Sequence, residues 1–373
     1  MPLAQTREIT PAKRLDNLRY AIRDLAVTAE GVVKQGHKVL FLNVGDPNIY
    51  DFVTPAHVVE AACKAMTSVQ DVFVTNGAGE AVDVCLTALL NEGDNVLTPC
   101  PDYPLYSAII CKTGAVLNTY YLNEDDGWQP DLNDMRRKIN SRTRGIVLIN
   151  PNNPTGAICT RRMLEQIAEI AREHNLLIIA DEIYDKLILD GGEQISIAAV
   201  APDVPIVTLG GLSKNYLAPG WRIGWSIVSG DGAAVKPFVE GMHKLLRARL
   251  SANHPEQYAI KPALEGPQDH LIETNNKLRS RRDLTVKTFN AIPRMSCVSP
   301  RGAFYAFPRL DIPEGDDVFV KGLLFEKQVL VVHGSGFGQR PGSKHFRVVF
   351  LPNEETLSKA YSAIGDFMQQ RYS

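Results

Sequence analysis

Solid apolar runs and helical stripes alternate along most of this chain. The pattern predicts a helix within 17–40, then a glycine-containing turn and a short strand, VLFLNVG. Thr54-Pro55 predicts a further helix start, with Thr as the cap and Pro at the first helical position, running to about Met66. Strands are predicted at 72–75, 95–98, 116–120, 145–150, 176–180, 204–209 and 223–228, and helices at 80–90, 106–112 and 131–139. Within 161–174, Leu164, Ile167, Ala168 and Ala171 form one apolar stripe at helical spacing.

Strands that alternate with helices and are apolar throughout predict an α/β fold, with a mainly parallel sheet covered on both faces. From 237 to 289 the chain is helical and charged. From about Met295 a second pattern begins, with strands at 303–307, 329–332 and 346–350 and helices near 317–327 and 353–370. It predicts a smaller α+β C-terminal domain. No internal repeat or low-complexity tract is visible. Ligands of parallel sheets sit at the carboxyl ends of the strands. Asn76-Gly77, Pro151-Asn152-Asn153, Asp181-Glu182 and Ser213-Lys214 all fall at such ends, which points to one shared site.

Composition narrows the function. Of 373 residues, 45% are hydrophobic and 22% charged, as in an ordinary globular protein. Lys plus Arg total 40 and Asp plus Glu 42, so no basic field exists for nucleic acid or an anionic membrane. No apolar run reaches the ~18 residues of a membrane span. The N-terminal MPLAQTREITPAKR has no apolar signal-peptide core. The six cysteines form no C-x-x-C, and the histidines form no H-E-x-x-H. A cytoplasmic, metal-independent protein is expected.

Several residues offer chemistry, each beside a plainer reading. Lys214 follows a buried strand in GGLSKNY; most such lysines are surface residues, but a sheltered one with a lowered pKa can attack a carbonyl. Asp181 ends the most apolar strand, as a helix cap, a metal ligand or an acid/base. Beside a lysine-bound cofactor it would hold a protonated pyridine nitrogen. PNNPTG is a turn by composition, although an Asn there can hydrogen-bond a phenolic oxygen. TNGAGE links strand to helix and exposes backbone N–H groups, a phosphate cradle or simply a tight turn. Neither it nor GSGFG is G-x-G-x-x-G. Arg222, between Trp221 and Trp225, is expected to be partly buried and to need an anion, whether a phosphate or a structural carboxylate. Arg347 enters an apolar strand, as a carboxylate clamp in a cleft or a strand-end ion pair.

Together these segments resemble the fold-type-I, pyridoxal-phosphate-dependent aminotransferases of class I/II. The ordered set is LNVGDP, TNGAGEA, PDYPLY, INPNNPTGA, ADEIYD, GLSKNYLAPGWRIGW, PRGAFYAF and FRVVFLP, from Tyr20 to the C-terminus. It is most similar to the bacterial and archaeal alanine aminotransferases, through YAIRDL, GHKVLFLNVGDP and VVHGSGFG as well, with tyrosine aminotransferases next.

The resemblance implies a role for each matching residue. Lys214 would bind pyridoxal 5'-phosphate and shuttle the proton, and Asp181 would keep the pyridine nitrogen protonated. Asn153 and Tyr184 would hydrogen-bond the phenolic oxygen, and Tyr103 would stack on the ring. Gly77, Ala78 and Gly79, with Ser213 and Arg222, would hold the phosphate. Arg347 would grip the substrate α-carboxylate, Gly45 would line the substrate side, and Tyr20 and Arg23 would lie nearby. The implied activity is ping-pong transfer of an amino group, alanine to 2-oxoglutarate first and an aromatic donor second. A lyase on the same fold and an inactive binding module are the rivals. The implied assembly is a homodimer with sites between subunits. The implied domains are an N-terminal segment, 1–45, packing with the small domain; a large cofactor-binding domain, 46–290; and the small domain, 291–373.

Two features depart from the pattern. Position 211 is Gly where some relatives have a phosphate-binding serine. The chain also passes from AACKAMTSVQ straight to DVFVTNG, where relatives carry a Tyr-x-x-Ser-x-Gly stretch and a helix. That tyrosine reaches the phosphate in the partner's site. The intact flanks favour a stretch left out near Met66–Asp71 over a true loss.

Overall fold

The computed structural model describes residues 21–43, 45–47, 50–52, 73–192, 194–230 and 232–372. The helix expected from Thr54, the Met66–Asp71 junction and Tyr20 lie outside them. Helix α1 (Ala21–Lys34) ends before Gly36, whose φ of 89° turns the chain into β1 (Leu40–Phe41). The strands β2 (Phe73–Asn76), β3 (Asn95–Cys100), β4 (Val116–Asn123), β5 (Gln129–Pro130), β6 (Thr143–Ile149), β7 (Leu177–Asp181), β8 (Ile206–Gly211) and β9 (Ile223–Ser229) form one sheet. Their order is β2-β9-β8-β7-β6-β3-β4-β5. The five neighbours from β8 across to β4 run parallel, while β9 runs against both β8 and β2.

Apolar runs put β7 in the middle of the sheet, because both of its faces are buried. Ile178 and Ala180 pack with Leu164 and Ile167 of α5 (Arg161–Glu173). Leu177 and Ile179 turn to the other face, with Leu86 of α2 (Ala78–Leu89) and Ile110 of α3 (Leu105–Thr113). The Thr160 hydroxyl starts α5 by accepting from the Met163 amide, and Asp131 does the same for α4 (Leu132–Lys138) through the Asp134 amide.

Register then fixes where the loops meet. Ile149 lies opposite Asp181, Asp181 opposite Leu209, and Gly211 opposite Gly224. The loops after β6, β7 and β8 therefore open side by side. The start of β9 and the end of β2, paired through Ile223 and Asn76, reach the same edge.

After α6 (Ile197–Val200), the chain continues through α7 (Gly232–Arg249), α8 (His254–Gln257), α9 (Ile260–Glu265) and the long α10 (Asp269–Ala291). The C-terminal part holds two short antiparallel groups. One pairs β10 (Met295–Ser296) with β12 (Arg309–Leu310). The other is β11 (Tyr305–Ala306), β15 (Phe346–Val349) and β14 (Val332–His333), in the order β11-β15-β14. Helices α11 (Asp316–Lys327) and α12 (Glu354–Tyr372) pack on them through Phe319, Leu323, Tyr361 and Phe367. The strand β13 (Val329–Leu330) pairs in parallel with β1, so the N-terminal segment joins this part of the molecule. The two-residue strands β5, β10 and β12 were not expected, because such pieces are too short to carry a hydrophobic period. Among the described residues no helix is long and apolar enough to cross a membrane.

Candidate active site

A cavity of about 480 Å³ opens where the loops after β6, β7 and β8 meet. Asp181, the last residue of β7, lines it with only 6% of its surface exposed. Its Oδ2 accepts from the Tyr106 hydroxyl at 2.9 Å, and its Oδ1 from the Ile183 amide at 3.3 Å. Burial pushes its carboxyl above the usual range, although both donors and the charge of Lys214 pull the other way.

Lys214 follows β8. Its Nζ donates to the Gly45 carbonyl at 2.7 Å and stands 5.4 Å from the centre of the Phe304 ring. Desolvation pushes the ammonium down to about 8; Arg347 and Arg222 act in the same direction, and Asp46 and Asp181 oppose them. An amine with that pKa keeps a usable neutral fraction near physiological pH, where an ordinary lysine has almost none, so it is able to attack a carbonyl and carry a proton.

On one side the cavity meets the first turn of α2, through Ala78 and Gly79. Gly77 before them has φ 77°, and a Cβ there would overlap the guanidinium of Arg222. The Asn76 amide donates to Glu80 Oε2 at 2.6 Å, which fixes the entry to the helix. Arg222 donates from Nη1 to the Pro219 carbonyl at 2.8 Å and from Nη2 to the Asn76 carbonyl at 3.3 Å. No described carboxylate forms an ion pair with it. Contrary to the expectation of partial burial, Arg222 is exposed: it crosses over a glycine that has no side chain to cover it. Ser213 is buried on the cavity wall, and Tyr103, after β3, lines it too.

On the other side Arg347 rises from β15, buried. It donates from Nη1 to Asn153 Oδ1 at 3.0 Å and from Nη2 to the Asn43 carbonyl at 2.7 Å. Its guanidinium lies 4.6 Å from the centres of both the Tyr305 and Phe337 rings. Tyr184 is buried beside it, its hydroxyl 3.0 Å from that of Tyr305. Burial first, then the nearby Tyr305, holds the Tyr184 phenol well above its ordinary value, so it keeps its proton.

Gly45, Ala78, Gly79, Tyr103, Asn153, Asp181, Tyr184, Ser213, Lys214, Arg222 and Arg347 thus line one cavity, with Gly77 against Arg222. Arg23 lies on α1, but its side chain falls outside the described residues, as does all of Tyr20. Tyr106, Tyr305, Asn43 and Asp46 also reach the site, and no role was expected of them. All four stand inside the segments PDYPLY, PRGAFYAF and LNVGDP. Among the described residues no cluster of His, Cys, Asp or Glu could hold a metal ion.

The family model for aminotransferase class I and II matches residues 35–364. The glutamate-pyruvate aminotransferase AlaA of Escherichia coli (strain K12) is 38% identical over 397 aligned positions, covering 96% of this chain and 98% of the relative. The alignment is longer than the 373-residue chain, so the relative carries internal residues with no counterpart here. The alanine aminotransferase of Mycobacterium tuberculosis (strain ATCC 25618 / H37Rv) is 37% identical, over 97% of this chain and 93% of the relative. Among solved structures, the alanine aminotransferase from Pyrococcus furiosus superposes with a TM-score of 0.93 at 39% identity, covering 97% of this chain and 100% of that one.

Proposed function

Because this chain belongs to the class I and II aminotransferases, a family dependent on pyridoxal 5'-phosphate, we propose that it transfers the amino group of alanine to 2-oxoglutarate in two half-reactions. The observation that carries this reading is Lys214: an amine pushed down to about 8, in one cavity with a buried acid and a buried arginine. Alanine is favoured as donor because relatives named for alanine or glutamate-pyruvate transfer match almost the whole chain.

The residues fit the cofactor on structural grounds. The bare Gly77 leaves Arg222 open to a phosphate, with the α2 amides beside it. The raised acid of Asp181 suits a cationic ring nitrogen, which would stabilise its ionised form. Ser213 would add a hydroxyl to the phosphate side, Tyr103 would stack on the ring, and Asn153 and Tyr184 would hydrogen-bond its phenolic oxygen. When bound, pyridoxal phosphate supplies an aldehyde for the amino group and a ring that accepts the electrons of Cα.

The chain does the rest. Arg347, its guanidinium against the Tyr305 and Phe337 rings and held in place by Asn153, clamps the substrate carboxylate. That anchor orients the Cα–H bond toward Lys214, whose Nζ takes the proton and returns it on the cofactor side. Gly45 borders the substrate side of the cavity. The protein works as a cytoplasmic homodimer with sites between subunits, taking small amino and 2-oxo acids. The domains we propose are an N-terminal segment, 1–45, whose β1 pairs with β13 of the small domain at 291–373, and a large domain at 46–290.

A donor scan tests this reading. The protein with pyridoxal phosphate is mixed with each amino acid and 2-oxoglutarate, and glutamate is followed. Alanine is expected to give the fastest glutamate formation. Faster formation from tyrosine or phenylalanine would move the protein to the aromatic group, and no glutamate from any donor would overturn the aminotransferase reading.

A further inference from the structure

We infer that Tyr305 is a positioning residue that acts through Tyr184, fixing the direction of a two-hydroxyl relay aimed at the phenolic oxygen of the cofactor. This rests on the reading of the cavity as a pyridoxal-phosphate site.

A tyrosine hydroxyl has one proton to give. The two hydroxyls lie 3.0 Å apart, and both side chains are buried, so one donates to the other. If Tyr184 spends its proton on the cofactor, it must accept from Tyr305. The order is then Tyr305 to Tyr184 to the phenolic oxygen, and each bond polarises the next. Without Tyr305, the Tyr184 hydroxyl loses the donor that polarises it toward the phenolic oxygen.

The surroundings hold Tyr305 in that role. Its ring is only 3% exposed and meets the Tyr184 ring edge-on, at 5.8 Å and 87°. Phe304 leans on it at 4.7 Å, and the Arg347 guanidinium covers its face. A Cβ at position 45 would overlap its hydroxyl, so glycine there leaves the space that the hydroxyl occupies. The same Gly45 supplies the carbonyl that tethers Lys214. The relay also joins two parts of the chain, since Tyr184 follows β7 and Tyr305 opens β11, paired with β15 opposite Val349. One side chain therefore touches the phenol that serves the cofactor, the arginine that serves the substrate and the glycine that holds the lysine.

The test reads the bound cofactor rather than turnover. The absorbance of the protein loaded with pyridoxal phosphate is titrated with pH, and the cofactor dissociation constant is measured by fluorescence. A donor to the phenolic oxygen favours its ionised form, so removing support for that donor raises the midpoint. Tyr305→Phe is expected to raise it by about 0.5 pH unit and to weaken cofactor binding by roughly two- to tenfold, the scale of one neutral hydrogen bond. In a Tyr184→Phe background the second substitution is expected to shift the midpoint no further. Phe307→Leu, which disturbs packing against Trp128 and His345 but no hydroxyl, is expected to leave it in place. Should Tyr305→Phe fail to fold, 3-fluorotyrosine at position 305 keeps the packing and strengthens the donor, and the midpoint must fall. An unchanged midpoint, or an equal shift with and without the Tyr184 hydroxyl, would overturn the inference while the cofactor reading stands. A wild-type protein with no pH-dependent band, indistinguishable from Lys214→Ala, would overturn both.

Discussion

Two aspartates are equally hidden from solvent and behave in opposite ways. Asp134, in the first turn of α4, is 5% exposed, and Asp181, at the end of β7, is 6% exposed. Burial raises both, but at Asp134 the Tyr121 amide, Lys138 and Arg137 outweigh it and hold the carboxyl below its usual range. At Asp181, deeper in the middle of the sheet, the partners are a phenol and one amide, and the carboxyl stays raised. The first acid is compensated within the fold. The second carries a desolvation cost that its partners do not offset, and on the proposed reading a cation arriving with the cofactor would offset it. A raised acid that also lines a cavity beside a charged partner, as Asp181 does beside Lys214, points to a functional site.

The comparison can be broken most sharply by neutralising each acid. Asp181→Asn is expected to lower transamination by at least about 10²-fold, the scale of losing one preorganised charge at a reacting centre. Thermal unfolding of the cofactor-free protein should then show equal or greater stability, since an isosteric amide removes a desolvated charge. Asp134→Ala is expected to do the reverse, costing about 1–2 kcal/mol in urea unfolding through lost bonds to the Tyr121 amide and the basic neighbours, with kcat unchanged. Loss of activity without loss of stability at position 134 would erase the distinction.

A smaller effect is expected from Tyr106→Phe, which removes the donor to Asp181 Oδ2 but leaves the Ile183 amide. Activity should fall roughly five- to tenfold, the scale of one hydrogen bond to a charged group. Smallest is the pH dependence of stability. The raised Asp181 of the cofactor-free protein keeps a proton that the unfolded chain has released, so its contribution falls as pH rises from the ordinary carboxylate value through the raised one. The lowered Asp134 contributes above the ordinary value, and that is lost as pH falls through its folded value. Asp102, Glu182 and Asp185 are raised as well, and Asp51 and Asp94 lowered, so equilibrium unfolding across the acid range should descend less steeply in Asp181→Asn and ascend less steeply at low pH in Asp134→Ala, without losing either component.

The same contrast shows what the sequence made legible. The apolar run of β7 announces a central strand, and a carboxylate at its end announces a site, because both follow from local order along the chain. Glycine-rich and Asn-Pro segments after β2 and β6 were readable for the same reason. The resemblance supplied most of the cavity lining. What stayed hidden depends on contacts far apart in sequence. Tyr106 is an apolar position in a helix until β7 is laid beside α3, and Tyr305 is a strand residue until β11 brings its hydroxyl to Tyr184. The exposure of Arg222 depends on Gly77, which reaches it only through the pairing of β2 with β9.

The central claim is that Lys214 and Asp181 serve one amino-transfer site, and the most direct test is a single half-reaction. The protein loaded with pyridoxal phosphate is mixed with alanine and no 2-oxo acid, and pyruvate is counted against sites while the cofactor absorbance is followed. About one pyruvate per site, with the absorbance change complete and both absent in Lys214→Ala, is the predicted result. Continuous product without an acceptor, or an unchanged cofactor band, would contradict it.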